Sequence, residues 1–348
     1  MTTSEVFFVP LTGESKDAER SAAGKLVLET LLAKSGEPAA EIPLKLHFGE
    51  RGNRTFLAPA VYDGMIDTLE ARGSSVFFTE TSVLYGGERF SAAKHIVLAQ
   101  KHGFNRLPVI IADGENGEAA VDVPVVNGRI FQTAAIGKVL AEAAQVLVVS
   151  HFKGHMLAGF GGAVKQLSMG FAAKGGKMAM YLGVKPRIRS WKCRACGLCA
   201  KRCNAEAIIK EKKYRIDREK CIGCGACFSI CPHHAVSVFS LTGLKNALFG
   251  KTLFRRRLVE YAMAAHYGKR NIYLNFVVNV TPGCDCEPRP MGKCVPDIGV
   301  FGSFDPVALD TACYDAVKNA GKKFRGYEQL EYAEKLGIGS RKYTLVKL

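Results

Sequence analysis

The sequence predicts an α/β protein with a mostly parallel sheet and helices, interrupted by a small cysteine-rich unit. From the start to about residue 180, short apolar runs of strand length alternate with amphipathic stretches of helix length. Such alternation is typical of a mostly parallel sheet covered by helices. Near Pro186 cysteines begin to recur every few residues, and this pattern ends near Ser240.

The first part of the chain supplies most of the predicted sheet. Apolar runs predict strands at Glu5–Pro10, Leu44–Phe48, Val76–Glu80, Val109–Asp113 and Gln145–Ser150. Apolar residues at helical spacing predict helices at Lys16–Ala33, Ala60–Arg72, Ser91–His102 and Ala134–Ala143.

Helices and strands return after the cysteine-rich unit. Leu253–Tyr267 has the pattern of a basic amphipathic helix, and Asn271–Val280 that of a buried strand. A further helix is predicted at Pro306–Asn319, because Asp305 can serve as its N-cap and Pro306 suits a first helical position.

These patterns predict one α/β domain formed by residues 1–186 and 241–348, with residues 187–240 as an insert. Arg187–Ser190 and Leu241–Gly250 would be the connections. Two separate α/β domains on either side of the insert are the alternative.

The overall composition is that of a globular protein. Of the 348 residues, 48% are hydrophobic and 23% are charged. The first residues lack the basic and apolar regions of a signal peptide, and no apolar stretch approaches the roughly 18 residues of a membrane span. We therefore expect a cytoplasmic protein without a membrane segment.

The insert contains a repeat with a period of 28 residues. Each copy reads C-x2-C-x2-C-x3-C, and each is followed by a short apolar strand, Ala207–Ile209 or Ala235–Phe239. Eight of the 12 cysteines lie in these two runs, which together with the missing signal peptide indicates reduced, metal-binding thiolates and not disulfides. A zinc ribbon would use two CxxC pairs and not a doubled four-cysteine run.

Three thiolates spaced three residues apart in a glycine-containing loop can converge on three corners of one [4Fe–4S] cubane, while the fourth cysteine points away. In two-cluster ferredoxins that fourth cysteine ligates the opposite cluster. The sequence thus predicts two [4Fe–4S] clusters, one on Cys193, Cys196, Cys199 and Cys231, the other on Cys221, Cys224, Cys227 and Cys203. The insert resembles the eight-iron bacterial ferredoxins, with Pro232 matching their usual Cys-Pro and Asn204 departing from it.

The net charge of +16 raises the question of nucleic-acid binding. The basic residues are scattered, and the short runs at 210–213 and 255–257 lie in no nucleic-acid-binding motif. We expect no nucleic acid and a solvated basic surface that can dock an acidic electron donor or acceptor protein.

A candidate site lies in Ser150–Lys165, which follows a predicted strand and leads into a helix. Gly159, Gly161 and Gly162 would let the backbone approach an anion such as phosphate or carboxylate, with Lys165 as its counter-charge. His155 could act as acid or base. The alternative is a tight strand-to-helix connection whose histidines face solvent.

A second candidate lies in the proline- and glycine-rich segment Thr281–Asp305. Its thiols Cys284, Cys286 and Cys294, with Cys313 on the next helix, could form a third metal site. They could also be ordinary buried cysteines. Because Cys284 and Cys286 are side by side in a loop, a redox or active-site role for this pair is the favoured hypothesis.

Both segments resemble the iron–sulfur proteins of the family called domain of unknown function 362. The resemblance extends over nearly the whole chain. It is carried by Gly154-His155, by Gly161-Gly162-Ala163-Val164-Lys165, by Cys284-Asp285-Cys286, by Asp297-Ile298-Gly299 and by the run from Ser303 to Asp310. The stretch His155–Lys165 is also similar to a histidine- and lysine-containing stretch of the lactate racemase family, in which that lysine and histidine serve a nickel-pincer nucleotide and the substrate.

The leading hypothesis is an iron–sulfur oxidoreductase that passes low-potential electrons from the insert to a small anionic substrate in the α/β domain. Its catalytic residues would be His155, Lys165, Cys284 and Cys286, with Gly159, Gly161, Gly162 and Lys165 binding the anion. The alternative is a non-catalytic electron carrier or assembly factor that docks a partner enzyme.

Overall fold

The computed structural model describes residues 3–182, 186–201, 203, 206–221, 226–237 and 241–348. In chain order the strands are β1 Ser4–Pro10, β2 Glu41–Lys45, β3 Ser75–Glu80, β4 Val109–Ile111, β5 Ala120–Pro124, β6 Thr133–Gly137, β7 Leu147–His151, β8 Lys153–His155, β9 Gly159–Gly161, β10 Arg187–Ile188, β11 Ile208–Lys210, β12 Tyr214–Ile216, β13 Val236–Ser237, β14 Ile272–Val277, β15 Gly299–Ser303 and β16 Tyr343–Lys347. The helices are α1 Asp17–Ser35, α2 Asp63–Ala71, α3 Ala92–Lys101, α4 Lys138–Glu142, α5 Ala163–Met169, α6 Lys174–Leu182, α7 Leu198–Lys201, α8 Ala226–Ile230, α9 Leu241–His266, α10 Pro306–Asn319 and α11 Glu328–Leu336.

One large sheet organises the α/β part, with the strand order β16-β1-β15-β14-β7-β2-β3-β4. Only β15 runs antiparallel to its two neighbours, β1 and β14, and the other neighbouring strands pair in parallel. The predicted α/β class with a mostly parallel sheet is confirmed.

The sheet is buried on both faces, which explains why its strands are apolar throughout and not alternating. In β7, Val148 belongs to one core cluster, while Leu147 and Val149 belong to the other. Side chains of α1, α2 and α3 fill the second cluster, and those of α5, α9 and α10 fill the first.

One predicted helix, Ala134–Ala143, is wrong. Its first half is strand β6, which pairs with β5, and only the second half is helical, as α4. Alanine favours a helix locally. Here, however, Ala135 pairs with Asp122 of β5, and the Ala135 carbonyl accepts a hydrogen bond from the Ala173 N–H. The predicted helix at 253–267 begins earlier, so that residues 241–250 are helical too.

Strands from both sides of the cysteine-rich segment share the large sheet. β14 pairs with β7, and β1 lies between β15 and β16. At the base of the segment β10 pairs with β13, joining Arg187 to Ser237 and Ile188 to Val236. The chain therefore enters and leaves this segment at one place. The division at residues 187 and 240 stays a prediction, and Cys224, Val238 and Phe239 lie outside the described residues.

None of the helices in the described part of the chain combines the length and the apolar character needed to cross a bilayer.

Candidate functional site

The candidate site lies at the carboxyl edge of the parallel strands, where the direction of the strand order reverses. From β2 the chain adds β3 and β4 on one side, and then returns to add β7 on the other. Open α/β sheets bind their ligands in the crevice at such a switch point. Here His47 follows the end of β2, Glu80 ends β3 and His151 ends β7.

Two loops meet above this edge. The β8–β9 hairpin continues from β7, and the loop with Cys284 and Cys286 connects β14 to β15. The Gly154 N–H donates to the Thr281 carbonyl at 2.8 Å. A Cβ atom at Gly154 would come 2.2 Å from the Pro282 carbonyl oxygen, so only glycine permits this approach. The structure thus brings the predicted turn and the predicted cysteine loop together.

Asp285, between the two cysteines, anchors the loop. Its buried carboxylate accepts from Lys153 Nζ at 2.5 Å and lies 2.9 Å from His151 Nδ1. Burial alone would raise the pKa of Asp285, but the charges of His151 and Lys153 outweigh it and hold that pKa well below the usual range. The loop is therefore fixed to His151, at the end of β7, and to Lys153, at the start of β8.

The flanking cysteines face His155. One donor atom from each of Cys284, Cys286 and His155 lies within 4.8 Å of the other two. The Cys286 N–H donates to Cys284 Sγ at 3.4 Å. A hydrogen bond from the Cys286 thiol, followed by the charges of Lys165 and Lys153, lowers the pKa of Cys284, whereas that of Cys286 is raised. Two thiols and an imidazole are a donor set that can hold a metal ion such as zinc.

The other two candidate cysteines lie apart from this group. Cys294 Sγ donates to the Val280 carbonyl at 3.2 Å. Cys313 is fully buried on α10, where Asn275 donates to it at 3.5 Å. The structure does not bring the four cysteines together as one site. The residue that lies beside Cys284 and Cys286 is His155.

The start of α5 already holds a carboxylate of the chain itself. The N–H groups of Ala163 and Val164 donate to Asp310 at 2.7 and 3.0 Å. Burial raises the pKa of Asp310 to about 6. Gly162 permits this approach, because an added Cβ would lie 2.2 Å from the Asp310 Oδ1. Because Asp310 already accepts these N–H groups, the anion predicted at this turn would have to bind beside Lys165 and not at the start of α5.

Lys165 extends past Gly161 into a cavity. An added Cβ at Gly161 would lie 2.9 Å from Lys165 Cδ. Among the described residues, the Lys165 ammonium has no hydrogen bond or ion pair. The third predicted glycine, Gly159, takes φ +92° at the end of the hairpin turn. It packs against the Arg325 carbonyl and not against the cavity.

The cavity has two connected parts, of about 30 and 150 Å³. Five residues line both parts, namely His47, His155, Lys165, Gln166 and Cys284. A more open cavity of about 880 Å³ reaches Cys286 from the side of Glu50 and Tyr85. In the smallest part, the buried Ser150 hydroxyl has no hydrogen-bond partner in the described structure.

Charged side chains that were not predicted from the sequence form one wall of this cavity. Arg89 donates to both oxygens of Glu80, at 2.9 and 3.0 Å, and Glu80 lies 3.9 Å from the Lys45 ammonium. Burial lowers the pKa of Lys45 to about 7 and that of Lys177 to about 8. Polar residues at the carboxyl ends of successive predicted strands were the signal that could have found this wall.

The cysteine-rich segment has a cavity of its own. Cys193, Cys196 and Cys199 of the first run line it together with Cys231, the last cysteine of the second run. Backbone N–H groups point at the sulfurs: Ala195 donates to Cys193 at 3.4 Å, and Ala235 donates to Cys231 at 3.3 Å. Cys203 receives the Ala207 N–H at 3.3 Å.

Fold and site together define an α/β protein with a cysteine-rich segment and groups of thiols that can hold metal. The chain belongs to the family described as domain of unknown function (DUF362), whose model matches residues 42–315. The part of the family expectation that concerns this domain is thereby confirmed.

Among solved structures, the chain is similar to the lactate racemase apoprotein from Thermoanaerobacterium thermosaccharolyticum, with 14% identity, a TM-score of 0.41, and coverage of 78% of this chain and 50% of that one. It is also similar to a protein from Thermotoga maritima, with 11% identity, a TM-score of 0.44, and coverage of 88% and 60%. The chain thus spans between half and three-fifths of the length of these proteins. No curated protein matches it.

Proposed function

We propose that this protein is an iron–sulfur oxidoreductase, in which two [4Fe–4S] clusters in the cysteine-rich segment supply low-potential electrons to the cavity at the sheet edge. The observation that carries the proposal is the cavity lined by three cysteines of one run and the last cysteine of the other. This is the ligand set expected for a two-cluster ferredoxin, in which the fourth cysteine crosses to the opposite cluster.

The residues around that cavity fit a cluster. Four thiols supply the required ligands, and N–H groups directed at sulfur stabilise the negative charge of ligated thiolates. Cys221, Cys227 and Cys203, with Cys224, would hold the second cluster. Each cluster supplies one-electron chemistry when bound.

The substrate would be a small anion. Lys165 offers a charge without a partner among the described residues, and the unpartnered Ser150 hydroxyl lines the same space. Burial and then the charges of Lys165 and Lys153 hold the pKa of His155 well below its usual range. His155 is therefore a neutral imidazole that can donate a hydrogen bond to a bound carboxylate or phosphate.

Metal and sulfide analysis, with EPR of the reduced protein, tests the clusters. Anaerobically purified protein should contain about eight irons and eight sulfides per chain. Cys196→Ser and Cys231→Ser should each lose one cluster. Because they serve the same cluster, the double variant should lose no more, whereas Cys196→Ser combined with Cys203→Ser should lose both. Cys294→Ser is the matched control, and wild-type protein with fewer than four irons would overturn the proposal.

Thermal unfolding with acetate, oxalate or inorganic phosphate tests the anion site. At least one of these anions should raise the wild-type midpoint and leave that of Lys165→Met unchanged. Lys335→Met, at an exposed position on α11, should respond as the wild type does. Equal responses of Lys165→Met and wild type would contradict the assignment of Lys165.

A further inference from the structure

Cys284 and Cys286 are closely coupled to each other. They are separated by one residue whose carboxylate is fixed by Lys153 and His151. The Cys286 backbone N–H donates to Cys284 Sγ at 3.4 Å. Both sulfurs line the 150 Å³ cavity. The loop thus holds the two sulfurs within 4.8 Å of each other, beside the cavity.

The hydrogen bonds of His155 oppose its use as a metal ligand. Its Nδ1 accepts the N–H groups of Leu157 and Ala158, at 3.2 and 3.0 Å. In a neutral imidazole with an accepting Nδ1, the proton is on Nε2. A protonated ring nitrogen donates to a thiolate or a substrate and has no lone pair for a metal. The two thiols are therefore left without their third ligand.

Two cavities lie next to the Cys284–Cys286 pair. Helix α6 brings Lys177 and Tyr181 to the same cavity, and the cysteine-rich segment follows that helix along the chain. On its other side Cys286 lines the open 880 Å³ cavity. This cavity gives the Cys286 thiol a route for exchanging its proton with water.

We propose that Cys284 and Cys286 form a redox-active dithiol that closes to a disulfide, exchanging two electrons with the clusters of the proposed function, on which this inference rests. Oxidation joins the two sulfurs, breaks the Cys286 S–H bond, and releases one proton and two electrons from the thiolate–thiol pair. The two clusters that the cysteines of the two runs would hold would provide for one electron each, so the electrons balance. In the reverse direction, the cleaved disulfide takes up both electrons, and Cys286 takes up a proton through the open cavity.

Electron counting on the intact protein tests this inference. Anaerobic coulometric titration should take up about four electrons per wild-type chain, one for each cluster and two for the disulfide. Cys286→Ser should take up about two. Cys294→Ser is the matched control at about four, because serine keeps a donor for the Val280 carbonyl.

Alkylation of the wild-type protein followed by peptide mass analysis gives a second measurement that needs no variant. Oxidised protein should yield the peptide with Cys284 and Cys286 unlabelled, and reduced protein should yield it doubly labelled. Two labels in the oxidised protein would overturn the inference. One zinc per chain that Cys286→Ser loses would overturn it as well, in favour of a metal site.

Iron analysis of the same samples separates the two proposals. Protein without iron would overturn the proposed function. The pair can then be equilibrated with glutathione redox buffers, in which formation of the disulfide supports the dithiol and persistent double labelling overturns it.

Discussion

At the scale of a single residue, Lys45 shows how burial and a nearby carboxylate together affect a charged group next to the site. Its ammonium is fully buried, donates to the Leu46 carbonyl at 2.6 Å and lies 3.9 Å from Glu80. Glu80 in turn is paired closely with Arg89. The negative charge of Glu80 therefore compensates Lys45 less than it compensates Arg89. Burial lowers the pKa of Lys45 to about 7.

A pH dependence of stability follows from this burial. An unfolded lysine keeps its proton to about pH 10.4, so above pH 7 the unfolded chain binds more protons than the folded one. Stability should therefore rise with pH in this window. We expect the free energy of unfolding of the wild type to rise relative to Lys45→Met by about 1.4 kcal/mol per pH unit between roughly pH 7.5 and 9.5. Anaerobic urea denaturation at both ends measures it. Lys177 contributes the same trend to both proteins, so parallel slopes would exclude the role of Lys45.

Single residues of the site could be predicted from the sequence only where they stood in a distinctive local pattern. Lys165 follows a glycine cluster, and Cys284 and Cys286 are adjacent in a loop. Arg89 and His47 have no such context. They reach the cavity because β2 and β3 are neighbours on one side of β7, and strand order is decided by tertiary packing that one sequence does not reveal.

At the scale of elements, the β8–β9 hairpin positions His155 and Lys165. Gly159 closes it with φ +92°, and the Arg325 carbonyl packs where a side chain would begin. The hairpin is thus held against the segment before α11. Any residue larger than glycine must move one of these two backbones.

Gly159 has both a positive φ and close packing against the Arg325 carbonyl, and alanine substitution can separate the energetic costs of the two. Gly337 ends α11 in the left-handed region with φ +89°, and nothing lies within 4 Å of an added Cβ. Gly337→Ala should cost about 1 kcal/mol of unfolding free energy, from backbone strain alone. Gly159→Ala should cost above roughly 3 kcal/mol, because its Cβ would lie 1.8 Å from the Arg325 oxygen. Chemical denaturation compares the two, and similar costs would contradict the close packing.

Elements with strong periodicity or end signals were predictable. Helix α10 has the predicted bounds, and the Asp305 side chain caps it by accepting from Val307 and Ala308. The segment 134–143 was not predictable, because alanine-rich sequence favours a helix until β5 provides a pairing partner.

At the scale of the whole molecule, the sheet depends on both flanks of the cysteine-rich segment. β14 and β15 lie in its interior, although the chain reaches them only after residue 240. The segment itself begins and ends on the paired strands β10 and β13. The α/β part therefore needs the chain on both sides, while the segment joins it through neighbouring strands.

Excision and truncation should accordingly have opposite effects. Replacing residues 189–235 with a Gly-Ser link of about four residues should leave the circular dichroism spectrum and a cooperative unfolding transition of the α/β part. A chain that ends at residue 240 lacks β14, β15 and β16 and should not fold. Gel filtration and circular dichroism distinguish these outcomes. An unfolded excision variant would show that the segment is required for the α/β core.

The position of β1 has a consequence for biosynthesis. It is the first strand of the sheet to leave the ribosome, yet both of its neighbours, β15 and β16, are the last to be made. During translation β1 has no sheet partner until β15 and β16 have been made. By contrast, β2, β3 and β7 can pair early. The cysteine-rich segment thus leaves the ribosome while the sheet is still open. Its thiols can bind metal before the α/β part closes around β1.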